Sequence, residues 1–491
     1  MNTLKKLLSV FAVVAMVLSM TVSANAATVT VKEGLDGHTF GYYQILKGTQ
    51  TTGDASLGEP AWGTGINDAS FVAELDDITE FAGVTDAATF VQALAANTDK
   101  AEQVARIAYK HKKGEPTAIA AGTVEIAAGY YLIVDTTTLQ AGDAKNAALL
   151  QITEKDAIEI GNKTTKPTVD KFVSRDGVWQ KSTDAYIGET VTMKITAEVP
   201  SMEHYDSYYV EFVDDADASF NAITVTSVKL IGTVNSTANT DVALKTTEYV
   251  HTPNNEDFTL VINDLKALAA AKNMNTNEKV EVVVEYTTAL NAAADLGNPG
   301  NLNKVKLVYT ANPDDGSTGE TTEKTVYVVT YQLDGTKVDG ANTTTKLPGA
   351  KFKLKKGENE FYKVTNGIVS WVAEGEATEV TSDDNGLFNF IGLDQGTYTL
   401  IETVAPQGYN KANSTVTITA TLNDTSITVL NTETTEEILN AGKVSVQVEN
   451  NKGAVLPETG GIGTTMFYVI GAALVIGAGV VLVSKKRMAA K

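Results

Sequence analysis

The residues of this chain that could do chemistry are single lysines, asparagines and acids near the ends of predicted strands. The sequence contains no glycine-rich phosphate loop and no nucleophile elbow. The acidic run "DDADAS" at 214–219 resembles a calcium loop only faintly, because it lacks the glycine and the distal glutamate of an EF-hand. The histidines show no metal-ligand spacing, and they are His38, His111, His204 and His251.

Both ends of the chain indicate export. Residues 1–26 have a basic start, an apolar stretch and the small-residue site "ANA", which is typical of a secretory signal peptide. Near the other end, "LPETG" at 456–460 precedes the uncharged apolar run 466–483, which is just long enough to cross a bilayer as a helix. The basic "KKR" that follows places the tail in the cytoplasm and the rest of the protein outside.

Composition narrows the function further. The 491 residues carry a formal net charge of −21, which argues against nucleic acid and anionic lipid as partners. The chain contains no cysteine, although exported proteins of this kind often use disulfides. Any covalent crosslink in the folded protein must therefore come from other chemistry.

The part between signal and anchor divides into three predicted domains. Polar stretches at 160–171 and 310–325 suggest boundaries, which gives domains at 27–163, 164–322 and 323–453, followed by an anchoring segment at 454–491. Short alternating runs rich in threonine, valine and tyrosine predict mainly β structure in antiparallel sandwiches. Apolar spacing predicts one helix over about 87–112 and a shorter one over 263–273.

Three motifs together carry a family resemblance. "LPGAKF" at 347–352, "GLDQGTYTLIETVAPQGY" at 392–409 and "LPETGG" at 456–461 resemble the CnaB-type β-sandwich of Gram-positive surface proteins. With the signal and the basic tail, the whole chain resembles an LPXTG-anchored major pilin, the backbone subunit of a sortase-assembled fimbria. This resemblance implies tandem immunoglobulin-like, Cna-type sandwiches with internal Lys–Asn isopeptide bonds of the CnaA and CnaB types.

In the third domain the resemblance implies a bond between Lys337 and Asn450 that is promoted by Glu402, with Asn431 as a rival acceptor. The physical reason is general. Burial lowers the pKa of a lysine and frees a neutral amine, while it raises the pKa of a carboxyl, which can then polarise the asparagine amide. The fold holds these groups in contact, and one ammonia leaves per bond.

In the second domain the resemblance points to Lys171, Asn303 and the acid Asp214. Asp215 is the alternative acid and Asn312 the alternative acceptor. The acceptor stays open because the segment "YTANP" at 309–313 departs from the Tyr-Ser-Asn-Asn-Pro that is frequent in the family. The first domain resembles the family's N-terminal domain, and no crosslink is predicted in it.

The resemblance also explains the pentapeptide Leu456, Pro457, Glu458, Thr459 and Gly460 as a sortase signal. A sortase cysteine attacks the Thr459 carbonyl, releases Gly460 with the tail and leaves an acyl group that awaits an amine. The amine is either cell-wall peptide or a lysine of the next subunit. The segment "IEIGNK" at 158–163 partly matches the family's acceptor motif and favours Lys163, with Lys166 as the alternative.

The sequence therefore predicts a structural pilus backbone subunit at the cell surface, covalently attached to the wall or to the pilus, and no enzyme. Its expected partners are class C and housekeeping sortases, identical subunits, accessory pilins and peptidoglycan, with host receptors left open and nucleic acid excluded. No cofactor and no metal is expected. The alternative function is a monomeric wall-anchored adhesin that binds host matrix, which would need no acceptor lysine.

Overall fold

The computed structural model describes residues 27–31, 37–50, 57–119, 122–152, 158–160, 166–418, 442–453, 468–476, 478–479 and 485. Several predictions fall outside these residues, namely the signal peptide, Lys163, Asn431 and the pentapeptide 456–460. Residues 468–476 are helical. Among the described residues, no helix has both the length and the apolar character to span a membrane.

The first domain combines small sheets with a helical layer. Its elements are β1 (Ala27–Val31), β2 (Phe40–Gln50), β3 (Leu57–Trp62), α1 (Asp68–Leu75), α2 (Ala87–Ala96), α3 (Ala101–Lys110), β4 (Thr117–Ile119), β5 (Gly122–Ile126), β6 (Gly129–Asp135), β7 (Leu149–Ile152) and β8 (Ile158–Ile160). One sheet has the order β5-β1-β8, and the other has the order β3-β2-β6-β7 with β4 also on β2. The helices pack on the second sheet around a core that includes Phe71 and Phe90.

The single helix predicted over 87–112 is wrong in one respect, because the chain forms two helices there. The first helix ends at Asn97, whose φ of −133° and ψ of 58° are not helical. The Asn97 side chain donates to the Ala93 carbonyl at 2.9 Å, and the 3-10 turn Thr98–Lys100 leads into α3. The predicted apolar face is confirmed as buried, and it comprises Phe90, Leu94, Val104, Ile107 and Ala108.

The second domain is a β-sandwich. Its elements are β9 (Thr168–Ser174), β10 (Ser182–Asp184), β11 (Thr190–Val199), β12 (Val210–Ala216), β13 (Thr224–Val234), β14 (Thr237–Ala243), β15 (Val250–Asn254), β16 (Asp257–Ile262), α4 (Leu265–Ala271), β17 (Val280–Ala289), β18 (Asn301–Thr310), β19 (Thr318–Glu320) and β20 (Lys324–Val329). One sheet has the order β14-β13-β17-β11-β9. The other has the order β10-β20-β18-β12-β16-β15, with β19 also on β18. The short helix predicted over 263–273 is confirmed as α4, which Asp264 caps by accepting from the Ala267 amide.

The third domain is a second sandwich. Its elements are β21 (Tyr331–Asp339), β22 (Asn342–Lys346), β23 (Lys351–Lys356), β24 (Glu360–Thr365), β25 (Ile368–Val372), β26 (Val380–Thr381), β27 (Leu387–Leu393), β28 (Gly396–Val404), β29 (Asn413–Ile418) and β30 (Lys443–Asn450). In one sheet β21 pairs with β22 and β27, and also with β30 in parallel. The facing sheet has the order β25-β24-β23-β28-β29, with β26 on β23.

Strand pairing moves one predicted boundary. Residues 310–325 look like a linker in the sequence, yet β20 pairs antiparallel with β18. The second sandwich therefore extends to Val329, and the third begins near Tyr331 rather than at residue 323. The predicted fold class, mainly β in tandem sandwiches, is confirmed.

Different contacts stabilise the two joints between domains, where the first joint lies between the first and second domains and the second joint between the second and third. At the first joint the Ala148 amide donates to both carboxylate oxygens of Asp314 at 3.0 and 2.9 Å, and burial raises the pKa of Asp314 to about 7. At the second joint Arg175 pairs with Asp184 and Asp394, and the Gln395 amide donates to Asp184 at 2.6 Å. Polar groups that would be orphaned in an isolated domain are thus satisfied across both joints.

Candidate functional site

The second domain places a lysine, an acid and an asparagine together in its core. Alternation along β9 turns Val169, Lys171 and Val173 inward, so that Lys171 occupies a position where an apolar residue is expected. Asp214 on β12 and Asn303 on β18 lie inward on the facing sheet, on neighbouring strands in which Ala216 is paired with Asn303. The lysine therefore crosses the sandwich to meet the other two groups.

The contacts in this triad are direct. The Lys171 Nζ touches a carboxylate oxygen of Asp214 and the amide oxygen of Asn303, and it also donates to the Lys304 carbonyl at 3.0 Å. The exposed fraction is 0 % for Lys171 and Asn303 and 2 % for Asp214. The amine thus lies against the carbonyl that it would attack, in a fully buried site.

Burial dominates the electrostatics of this triad. Desolvation lowers the pKa of Lys171 and raises the pKa of Asp214, although the attraction between the two charges opposes both shifts. One oxygen of Asp214, Oδ1, is buried without a hydrogen-bond partner, which is costly for an ionised carboxylate. Both observations favour the transfer of a proton from Lys171 to Asp214, which gives the neutral amine and the neutral acid that acyl transfer requires.

The structure does not bring the two alternatives of the second domain into this cluster. Asp215 is exposed on the outer face of β12. Asn312 is buried at the first joint, where its Oδ1 accepts from the Asp314 amide at 3.0 Å and its Nδ2 lies 3.5 Å from the Tyr109 hydroxyl. The pairing with Lys171 is therefore made by Asp214 and Asn303.

The third domain assembles the same residue types differently. Lys337 on β21 and Asn450 on β30 lie on neighbouring parallel strands, where Lys337 is paired with Val448 and Asn450 lies two positions further along. Both side chains are inward and fully buried. Glu402 comes from β28 in the facing sheet, where it is paired with Phe352.

In this triad the acid touches the amide directly. The Asn450 Nδ2 donates to both Glu402 oxygens at 2.9 and 3.0 Å, and the Ala412 amide donates to Glu402 Oε2 at 2.7 Å. The Lys337 Nζ donates to the Val448 carbonyl at 2.9 Å and lies 4.0 Å from Glu402 Oε1. Burial lowers the pKa of Lys337 to about 8, so a useful fraction of the amine is neutral near neutral pH.

Sequence reasoning missed one residue that touches the second-domain triad. The Tyr286 hydroxyl on β17 donates to Asp214 Oδ2 at 2.9 Å and accepts from Asn303 Nδ2 at 3.1 Å. The available signal was alternation, because residues 280–289 predict a strand whose inward row includes position 286. Nothing in that pattern distinguishes a core tyrosine from one that hydrogen-bonds to the site.

Lys166, the alternative acceptor, forms an ion pair with Asp143 of the first domain, and 44 % of its side chain is exposed. In the part of the chain that the structure describes, which includes the run 214–219, no group of three or more His, Cys, Asp or Glu that could hold a metal ion is found.

Comparison with known families locates two matches in this chain. Residues 331–435 match the SpaA family, described as a prealbumin-like fold domain, and residues 448–489 match the LPXTG cell wall anchor motif. The first match begins at the residue where β21 begins. The anchor motif makes this a cell-surface protein attached to the cell wall.

The chain is also similar to proteins of known class. It is 24 % identical over 403 residues to the trypsin-resistant surface T6 protein of Streptococcus pyogenes serotype M6, covering 67 % of this chain and 70 % of that protein. The solved T6 backbone pilin of that serotype matches with a TM-score of 0.56 at 16 % identity, over 89 % of this chain and all of that one. The full-length major pilin SpaD of Corynebacterium diphtheriae matches with a TM-score of 0.50 at 16 % identity, over 88 % and 99 %. The predicted resemblance to LPXTG-anchored major pilins is thus confirmed in motif and in fold.

Proposed function

We propose that this protein is the backbone subunit of a covalent surface pilus, joined head to tail by a sortase and stiffened by internal Lys–Asn isopeptide bonds. The observation that carries the proposal is the pair of fully buried lysine–acid–asparagine triads in a wall-anchored chain. Burying a lysine and an acid costs desolvation free energy, so two such sites in one chain indicate a chemical role rather than simple packing. The T6 and SpaD likenesses support the same function.

The internal bonds are Lys171–Asn303, promoted by Asp214, and Lys337–Asn450, promoted by Glu402. In each, the amine attacks the amide carbon, ammonia leaves, and the buried ion pair is replaced by a neutral amide. The geometry supports this because the reacting groups of the second domain are already in contact. Each bond forms once per chain, in a single intramolecular reaction without catalytic turnover.

The external bond joins Thr459 of one subunit to Lys163 of the next. In the sequence, Lys163 follows β8, the last described strand of the first domain, and precedes β9, the first strand of the second domain, so it belongs to the segment that connects the two. Lys166 forms an ion pair with Asp143, and this ion pair would have to break before Lys166 could act as the acceptor. Head-to-tail joining does not close on itself and therefore gives a filament. The sortases, accessory pilins and peptidoglycan remain the expected partners.

A denaturing gel of wall extracts, immunoblotted for this protein, tests polymerisation. We expect a boiling-resistant ladder from the native chain and from Lys166→Ala, and only monomer from Lys163→Ala. A ladder that survives Lys163→Ala and disappears in Lys166→Ala would move the acceptor to Lys166. Monomer in every lane, with the native sortases expressed, would contradict the pilus and favour the monomeric adhesin.

A further inference from the structure

We propose that the Tyr286 hydroxyl relays a proton from Asp214 to the departing nitrogen of Asn303 when the Lys171–Asn303 bond forms. This inference rests on the proposed function, because it concerns a step of the proposed internal crosslinking. It assigns to Tyr286 a catalytic role, since its hydroxyl touches the reacting amide.

The hydrogen bonds form a closed ring around the reaction. The Lys171 Nζ contacts Asp214 Oδ2, the Tyr286 hydroxyl lies 2.9 Å from that same oxygen, and the Asn303 Nδ2 lies 3.1 Å from the hydroxyl. The Asn303 Oδ1 closes the ring by accepting from Lys171. The ring therefore links the nitrogen that must lose protons to the nitrogen that must gain one.

The proton balance follows from this ring. The Lys171 ammonium loses two protons when it becomes an amide N–H. The first passes to Asp214 and leaves a neutral amine, whose attack on the Asn303 carbon makes the C–N bond. The leaving nitrogen then takes a proton from the Tyr286 hydroxyl, which is refilled by Asp214, and the C–Nδ2 bond breaks to give ammonia. Asp214 finally takes the second proton from the new amide nitrogen.

A hydroxyl suits this relay because it can rotate. In the resting site it donates to Asp214 and accepts from Asn303, and after Asp214 is protonated it can accept from the acid and donate to the amide nitrogen. Burial keeps the pKa of Tyr286 well above its ordinary value, so the group holds its proton until the leaving nitrogen becomes basic. The site is fully buried, and no solvent water is needed for the transfer.

In the third domain the acid contacts the asparagine amide directly, with no hydroxyl between them. There the carboxylate of Glu402, one methylene longer than Asp214, reaches the Asn450 Nδ2 itself. In the second domain, direct transfer from Asp214 is the competing route, because a hydrogen bond from the Asn303 amide opposes part of the rise that burial causes in the pKa of that acid. The experiment must separate these two routes.

The test is Tyr286→Phe in the full mature chain, with bond formation followed by pulse–chase labelling and intact mass. The ring of Tyr286 packs edge-on against Phe258 at 5.1 Å, and phenylalanine keeps that contact while it removes the hydroxyl. We expect loss of the second-domain ammonia to slow about 100-fold, the usual contribution of a positioned acid or base. The third-domain ammonia should leave at the native rate in the same molecules.

Two control variants calibrate the result. Tyr331→Phe removes a buried hydroxyl that has no hydrogen-bond partner, and it should leave both rates unchanged. Asp214→Ala should abolish the second-domain loss altogether. A native chain that keeps both ammonias would refute the internal crosslinks themselves, whereas a native rate in Tyr286→Phe would refute only the relay and leave direct transfer from Asp214.

A second measurement covers the case in which Tyr286→Phe does not fold. Replacing all tyrosines by fluorotyrosine keeps every hydroxyl but makes it more acidic. A relay predicts a changed rate for the second-domain bond and an unchanged rate for the third-domain bond. If fluorotyrosine changed the rates of the two bonds equally or not at all, the relay would be overturned, because only a hydroxyl that transfers a proton ties the second-domain rate to its acidity.

Discussion

The two triads of this molecule use the same residue types in different topologies. In the second domain the lysine stands alone on one sheet, and the acid and asparagine lie on neighbouring strands of the other. In the third domain the lysine and asparagine are neighbours on parallel strands, and the acid comes from the facing sheet. What both share is burial and contact, so the chemistry depends on the environment of the three groups rather than on one strand arrangement.

The difference also determines what each bond protects. The third-domain bond would join β21 to β30, the first and last strands among the described residues of that domain, so tension would pass directly through the domain. The second-domain bond would join β9 to β18, yet the chain leaves through β20, which is held to β18 by a hydrogen-bonded ladder. Residues 304–329 therefore lie outside the second-domain crosslink.

Removing the promoting acid of one triad should have the largest effect, because it abolishes one crosslink and leaves the other. We expect Asp214→Ala and Glu402→Ala each to retain one ammonia, because each deletes the acid of one triad only. Each bond would close a loop of more than 100 residues, and Lys171 and Asn303 are 132 positions apart. Loss of such a crosslink costs about 5 kcal/mol by the loop-entropy argument. Intact mass would check the retained ammonia, and urea unfolding of each domain would check the loss of stability.

The matched control for these acids is Asp215→Ala. Asp215 is exposed and adjoins Asp214, so its removal should leave the number of ammonias lost and the free energy of unfolding unchanged. An extra ammonia in Asp215→Ala, but none in Asp214→Ala, would transfer the promoting role to the neighbour.

Pulling on single molecules would show whether force takes different routes through the two domains. With force applied between the proposed acceptor Lys163 and the C-terminal end at Thr459, we expect the third domain not to extend. The second domain should release the residues after Asn303 up to Val329, whose extended length is roughly 86 Å at about 3.3 Å per residue. Equal behaviour of the two domains would contradict the different routes that we infer for the force.

The unreacted third-domain site should respond to pH. In Asn450→Ala, Lys337 remains an amine, and burial lowers its pKa to about 8 from a model-compound value of 10.5. Between these values the unfolded chain binds more protons than the folded chain, so stability rises with pH through this window. The full gain is about 3 kcal/mol, and urea midpoints from pH 7 to 11 would measure it.

The control for this pH effect is the double variant Lys337→Met with Asn450→Ala. It lacks the buried amine and should show no rise between pH 8 and 10.5. If the rise persists, groups other than Lys337 are responsible for it.

Much of both triads could be predicted from the sequence, because each group lies on a strand whose alternation fixes its direction. Lys171 falls between Val169 and Val173 on β9, and Glu402 follows an apolar alternation on β28. A charged residue at an inward position is a strong signal, since burying it is costly. Family motifs then indicated which charges belong together.

What could not be predicted depends on register and on long-range pairing. Tyr286 looks like any core aromatic until β17 is placed opposite Asp214 and Asn303. The segment 310–325 looks like a linker because its polar residues form turns, yet Asp314 is buried against the first domain and β20 continues the sheet. The break between α2 and α3 depends on one asparagine that caps the first helix with its own side chain.

The smallest predicted effect concerns Asn312, the alternative acceptor. Its Oδ1 holds the Asp314 amide at 3.0 Å, and Asp314 in turn accepts from Ala148 of the first domain. Asn312→Ala removes this hydrogen bond, so we expect it to weaken the first joint by about 1 to 2 kcal/mol, which thermal unfolding would detect. Its intact mass should show the same ammonia losses as the native chain, because Asn303 and not Asn312 contacts Lys171. If Asn312→Ala retained one extra ammonia and Asn303→Ala did not, the acceptor would be Asn312, and the second-domain bond would bridge to the joint rather than close the sandwich.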